Sequence, residues 1–315
     1  MKMLKQLRQQ INHESTLQSG MNSVATQYDL SNESAYQRWR EAKLGQAPGS
    51  CADLIVEVAD PGNLTASEYA ALLAMCQRCN MVIYAGRQYA ADKDIPRKVG
   101  MQFGMQQLDA NWLAGEDGIS EIQVSSADDQ SRQAYIPYTD RAIKWHTDGY
   151  YNAPERRIRG MLLHCVASAA QGGENRLMDH EMVYLQLRDK NPDFIRALSA
   201  TDVMTIPARA DDEGVARAEQ SGPVFSVDEN GKLHMRYTAR TRSIVWKQDE
   251  LSKTAVACLE KLLAADTPYI YTARLEPGMG LLCNNVLHDR TAFSDDPQTP
   301  RLLYRARYYE RVTGS

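Results

Sequence analysis

The residues of this 315-residue chain best suited to chemistry fall in three places. In Trp145-His146-Thr147-Asp148-Gly149, extended chain runs into a Gly-Tyr-Tyr-Asn turn. Residues i and i+2 of extended chain project to one face, so His146 and Asp148 can address a common point while Thr147 faces away. That geometry suits a shared metal ion. A second histidine would complete a 2-His-1-carboxylate face, which leaves positions open on a ferrous ion for a co-substrate and dioxygen. His288 is the candidate, since a Pro277-Gly278 turn and a short apolar strand place it at a strand end. Alone, the His-x-Asp tripeptide reads as a histidine and an aspartate in a polar turn; the downstream residues are what favour a metal.

The third place is Arg301-Leu302-Leu303-Tyr304-Arg305-Ala306-Arg307. On a strand, Arg301, Leu303, Arg305 and Arg307 share one face, and Leu302, Tyr304, Ala306 and Tyr308 the other. A row of inward arginines is costly to bury unless an anion meets it. The planar guanidinium pairs bidentately with a carboxylate, so this strand reads as an anion-binding wall. Tyr150 and Tyr151 either line a substrate pocket or cover a core. With Trp246 they also have the makings of an aromatic cage for a quaternary amine. Arg240 and Arg242 are in reach of a second anionic group or simply exposed. His164, His180 and His234 lack a partner at ligand spacing and read as structural.

The elements that must position these residues are mostly short strands. Leu54 to Val58, Met81 to Tyr84, Ile158 to Val166, Asp202 to Ile206, Tyr269 to Leu275, Gly280 to Cys283 and Leu302 to Tyr309 carry strand signals, and Asn230-Gly231 joins two more in a hairpin. Helices are expected from Thr65, which opens a capping box with Glu68; from Asp179, with Asn191-Pro192 restarting it toward Leu198; and from Asp249 to Ala264. This pattern suggests a sandwich or barrel with helices outside. The segments Ala114 to Gln133 and Arg209 to Ser221 are polar and read as loops, the second either a lid that closes over substrate or an ordinary mobile loop. Residues 1–50 read as an N-terminal helical arm, with a Leu4/Leu7/Ile11 stripe and a helix near Tyr36 to Leu44, preceding one domain over 51–315. The stripe offers a surface to a neighbouring subunit, which makes a homo-oligomer an expectation.

Composition sets the class. Hydrophobic residues at 43% and charged residues at 24% are those of a globular protein. Thirty-six Lys+Arg against 40 Asp+Glu lack the basic excess of a nucleic-acid binder. No run approaches the roughly 18 apolar residues of a membrane span, and the amino terminus lacks a signal peptide's apolar region, so the expected location is cytoplasmic. Six cysteines are too few for a disulfide scaffold. Cys76-Gln-Arg-Cys79 ends a helical pattern, whereas a redox pair opens one, so it reads as buried thiols.

His146-x-Asp148, Gly172-Gly173-Glu174-Asn175, Asn285-x-x-His288 and Arg301-x-x-x-Arg305 together resemble the taurine dioxygenase (TauD/TfdA-like) family of Fe(II)- and 2-oxoglutarate-dependent dioxygenases, over roughly residues 50 to 312. The resemblance implies a mainly β fold with flanking helices, a double-stranded β-helix or jelly roll. It implies iron ligands His146, Asp148 and His288, and Arg301 paired with the distal carboxylate of 2-oxoglutarate. Arg305 would hold an acidic group of a small-molecule substrate. Dioxygen would be consumed, succinate and carbon dioxide released, and a C–H bond hydroxylated, with desaturation and epimerisation as alternatives that share these ligands. Asn175 stands where the family often has Thr, and its amide can donate a similar hydrogen bond to the co-substrate. Asp148 keeps the position that related halogenases free for a halide. Asn285 either orients the imidazoles or packs in the core. Two other readings remain: a zinc hydrolase on a similar barrel, and a non-catalytic anion-binding protein.

Overall fold

In the computed structural model, the residues described are 26–87, 91–109, 115–126, 132, 135–211, 214–240 and 244–315. The Leu4/Leu7/Ile11 stripe and Arg242 lie outside them. Two sheets face each other. The larger has the strand order Ile55–Glu57, Met81–Ala85, Met279–Cys283, Gly160–Ala167, Leu302–Tyr308, Ser120–Ile122, antiparallel except for its first pair. The smaller runs Tyr271–Ala273, Asn175–Met178, Leu287–Arg290, Ile143–His146, antiparallel throughout. This is the helix-flanked jelly roll that the family resemblance implied.

Strand alternation divides the core. Met81, Ile83, Leu163, Leu281 and Leu303 meet Leu177 and Ala273 between the sheets. Their neighbours Val82, Tyr84, Leu162, Leu282, Tyr304 and Ala306 pack outward against Leu72, Cys76, Val99 and Phe103 from the helices Ala66–Cys79 and Ile95–Gln102. Burying one such Leu or Val stabilises by about 1.5–3 kcal/mol relative to exposure. Thr65 closes the expected capping box with Glu68, a device whose cap residue contributes about 1 kcal/mol. Behind the smaller sheet, the helices His180–Lys190, Pro192–Leu198 and Glu250–Ala264 bury Met178, Leu287 and Trp145.

The helix Glu33–Gly45 docks on His180–Lys190. Tyr36 donates to Asp189, Arg40 pairs with Asp189, and Lys43 reaches Asp179 and Glu181. Among the described residues, no helix is long and apolar enough to cross a membrane.

Two segments read as loops contain sheet. Within the first, Ser120–Ile122 pairs with the arginine strand, Ile122 opposite Leu303. Ile119 and Ile122 are buried there, an apolar pair whose signal the surrounding Gly, Ser and Asp diluted. Within the second lie the short strands Arg209–Asp211, Gly214–Arg217 and Gln220–Gly222, the last pairing with Met204–Ile206. The first two pair with each other as a local hairpin, and the polar residues that make them hid the alternation of a strand. The Asn230-Gly231 hairpin forms, joining Phe225–Val227 to Leu233–Met235, with Gly231 at φ +72°. All six cysteines are free, and burial pushes the Cys79 thiol up to about 12.

Candidate metal centre

His146 ends the strand Ile143–His146, and His288 lies directly opposite it in the neighbouring antiparallel strand. Their rings are 4.2 Å apart between centroids. Asp148 follows in the turn, its Oδ1 3.7 Å from His146 Nε2. One ligand atom from each of the three lies within 4.8 Å of the others. Thr147 turns away as expected and accepts a hydrogen bond from the Tyr237 N–H.

Each imidazole is held from behind by its own chain. His146 Nδ1 donates to the Lys144 carbonyl at 2.9 Å, and His288 Nδ1 to the Val286 carbonyl at 3.0 Å. A carbonyl only accepts, so Nδ1 carries the proton and Nε2 keeps its lone pair for the shared point. Asn285 does not orient the imidazoles, contrary to expectation. It staples the aspartate's backbone: Oδ1 accepts from the Asp148 N–H, and Nδ2 donates to the Asp148 and Ile158 carbonyls. Its φ of +51° is left-handed, which Asn tolerates better than most residues.

The electrostatics suit a cation. Burial, then the neighbouring His288, push His146 down to about 3, so it is neutral. Burial raises the Asp148 carboxyl, but Arg305, Arg307 and the two imidazoles override it, and the group lies well below the usual carboxylate range. Asp148 Oδ2 is 3.3 Å from Arg305 Nη1, yet no hydrogen bond closes on it. Two imidazoles with Nε2 free toward the shared point and an under-bonded buried carboxylate are a donor set that fits a divalent ion such as Fe(II).

Beside this point a small cavity of about 40 Å³ is lined by His146, His288, Asn175, Arg290, Arg301 and Arg305, among others. Arg301 is buried, its guanidinium over the Phe293 ring at 5.0 Å, with Nη1 unpartnered. Gly173 beside it sits at φ +77°, a left-handed backbone that favours glycine. Asn175 faces the same cavity, but its Nδ2 already donates to the Asp289 carbonyl at 2.8 Å. Sequence reasoning missed Arg290. It donates to the carbonyls of Pro137, Thr139 and Arg141, and burial, then Arg301, bring it down to about 9. Its position two residues after His288, hence on the same strand face, was the available signal.

A larger cavity of about 390 Å³ opens over His146 and Asp148, walled by Tyr135, Tyr138, Tyr150, Tyr151, Lys144, Arg240, Arg305 and Arg307 among others. Tyr150 and Tyr151 meet edge to face at 5.1 Å. Arg307 donates to the Tyr151 hydroxyl at 3.0 Å and pairs with buried Asp109, a partner the sequence did not suggest. Trp246 does not join the tyrosines in a cage; it packs on Tyr237. His164 bonds Tyr84, and His180 the Leu233 carbonyl.

Comparison with known proteins gives the following. Residues 45–307 match the family described as "Taurine catabolism dioxygenase TauD, TfdA family". A uridine-5'-phosphate dioxygenase from Amycolatopsis sp is 33% identical over 179 residues, covering 54% of this chain and 62% of that protein. Another from Streptomyces sp is 32% identical over 178 residues with the same coverage. The chain thus spans about 62% of the length of the curated relatives it matches. Among solved structures, AAD-2 in complex with Mn(II) and N-oxalylglycine superposes with a TM-score of 0.57 at 14% identity, over 84% of this chain and 96% of that one. A putative alpha-ketoglutarate-dependent taurine dioxygenase from Burkholderia xenovorans gives 0.56 at 19%, over 84% and 89%. At such identities these likenesses show the shared fold.

Proposed function

The chain belongs to the taurine catabolism dioxygenase TauD, TfdA family, and on that premise we propose that it is a 2-oxoglutarate-dependent non-haem iron dioxygenase hydroxylating an unactivated C–H bond of a small anionic molecule. The observation that carries this reading is the convergence of His146, Asp148 and His288 beside a buried arginine, Arg301, with an unpartnered N–H.

His146, Asp148 and His288 would hold Fe(II), which with 2-oxoglutarate and dioxygen supplies the oxidising power, succinate and carbon dioxide being the co-products. The chain's own contribution is positional. The Lys144 and Val286 carbonyls fix both imidazole tautomers, and Asn285 fixes the aspartate. Arg301 receives the far carboxylate of the co-substrate in a pocket too small for the substrate itself, with Arg290 adding positive potential behind it. Asn175 closes the pocket's polar side. Over the metal point, Arg305 presents a charge to the substrate's anionic group, and Tyr150 and Tyr151 wall off water. Lys144, Arg240 and Arg307 make this cavity positive overall, and its tyrosines offer flat faces. Both features favour an aromatic phosphate ester, so uridine-5'-phosphate, named for the two relatives, is the first substrate to try.

An anaerobic titration of metal-free protein with Fe(II) and then 2-oxoglutarate tests the assignment. A visible charge-transfer absorption is expected in the parent. Arg301→Ala should need roughly 10–100-fold more 2-oxoglutarate, the loss of a charge-assisted pair. No absorption with iron bound would remove the co-substrate and leave a hydrolytic or binding role. Oxygen-dependent succinate release with uridine-5'-phosphate then tests the substrate class.

A further inference from the structure

A second cavity, of about 220 Å³, shares the Asp148-Gly149-Tyr150 turn with the first but has different charged walls: Arg157, Arg236 and His234. Asp148 is the sole carboxylate among its lining residues, and it already faces Arg305 and two imidazoles. Arg236 is fixed in place by the carbonyls of Tyr150, Met204, Gln220 and Gly222. Those acceptors are neutral, so they orient the guanidinium and leave its charge whole. Among the described residues, the half-buried Arg157 guanidinium makes no hydrogen bond or ion pair, and neither ring nitrogen of His234 has a partner. Ser221 adds a hydroxyl to the same wall.

Two guanidinium charges without a salt bridge, Arg157 feeling Asp228 only at longer range, around a space large enough for a tetrahedral ion, are costly to desolvate unless an anion joins them. An arginine fork beside an imidazole and a hydroxyl matches the several acceptor oxygens of a phosphate group. Burial, then the surrounding cations Arg157, His180, Arg159 and Arg311, hold His234 well below its ordinary value, so empty it carries no charge that would repel Arg157. We propose that this second cavity is a binding site for a phosphate-class oxoanion, with Arg157 as the charged donor, His234 as a second donor, and Arg236 as a fixed positive neighbour. Because Arg236 Nε holds the Tyr150 carbonyl at 2.7 Å, an anion there also braces the turn that carries Asp148. The anion is either a phosphate of the substrate itself or a free ion.

The test is calorimetric titration of the full chain with inorganic phosphate, with phosphorus NMR line widths as a second readout. Saturable binding is expected, with one equivalent that depends on Arg157. Arg157→Gln should weaken that equivalent roughly 10–100-fold, as for a lost charge-assisted bond, Arg157→Lys should restore part, and His234→Phe should weaken it less. Arg305→Gln, which removes a donor from the other cavity, should leave that equivalent in place. Circular dichroism matching the parent separates a lost site from a lost fold. Competition with uridine-5'-phosphate distinguishes the sources: displacement means the nucleotide's own phosphate occupies the cavity, simultaneous binding a separate ion. Failure of phosphate to saturate at millimolar concentrations, or loss in Arg305→Gln but not in Arg157→Gln, overturns the proposal. Neither result depends on iron, so the dioxygenase reading stands or falls separately.

Discussion

Lys43 and Arg305 are both cations withdrawn from water and facing buried carboxylates, yet their surroundings are built on opposite terms. Lys43 Nζ lies 2.6 Å from Asp179 and 2.5 Å from Glu181, and donates to the Arg78 carbonyl. Tyr28 and Asn80 satisfy further oxygens of the same two acids. Around Arg305 the pair to Asp148 is stretched to 3.3 Å, and Arg301 Nη1, Arg290 Nε and Arg305 Nε have no partner at all. The first cluster closes on itself and fastens the helix Glu33–Gly45 to the domain. The second is left open toward cavities. Incomplete satisfaction of buried charge beside a cavity and three side chains at metal-ligand spacing is what marks a site that expects ligands.

The sharpest way to break the contrast is to remove one member from each cluster. His288→Ala should abolish activity and lower Mn(II) or Co(II) affinity beyond the roughly 10–100-fold that loss of an outer partner costs, with the urea midpoint little changed. Lys43→Ala should do the reverse. Stranding two buried carboxylates costs about 3–5 kcal/mol of stability, read as a lower urea midpoint at constant slope, while metal affinity holds. If Lys43→Ala instead weakens metal binding at unchanged stability, the division fails. Asn285→Ala sharpens it from within the open cluster. It leaves the buried Asp148 N–H and two carbonyls unsatisfied, at about 1–3 kcal/mol each before relaxation, and metal affinity should fall about tenfold because the carboxylate loses its backbone anchor.

The open cluster was more legible in the sequence than the closed one. His146, Asp148, Arg301 and Arg305 announce themselves through spacing, because extended chain sends alternate residues to one face and the strands are short enough to keep register. Helix caps at Thr65, Asp179 and Asp249 are equally local. What escaped depends on contacts distant in sequence. Arg307 meets Asp109 and Lys43 meets Glu181 only once the chain is folded. The strand Ser120–Ile122 exists because Leu302–Tyr308 offers it an edge. Asn285 was flagged for the right neighbourhood but the wrong task, since composition cannot tell a backbone staple from an imidazole partner.

The smallest effect concerns acid. Burial pushes the Glu181 carboxyl up, but the Lys43 ammonium, the neighbouring His180, and hydrogen bonds from Lys43 and Tyr28 reverse this and bring it down to about 2. A carboxyl depressed on folding contributes stability that is fully present above its unfolded value, about 4.3, and is lost as pH falls from there through the folded one. Lys43 shifts the other way, upward, so from pH 7 to pH 3 the folded parent keeps both charges while its unfolded chain takes up a proton. The stability gap between the parent and Lys43→Met should therefore narrow from pH 7 to pH 3, because in the variant acid relieves the carboxylates that lost their ammonium. Urea midpoints for both proteins across that range give the answer. A gap that stays constant would mean that the Lys43 contacts act through packing of the aliphatic stem and not through charge, and the closed cluster would then be a core that happens to carry ions.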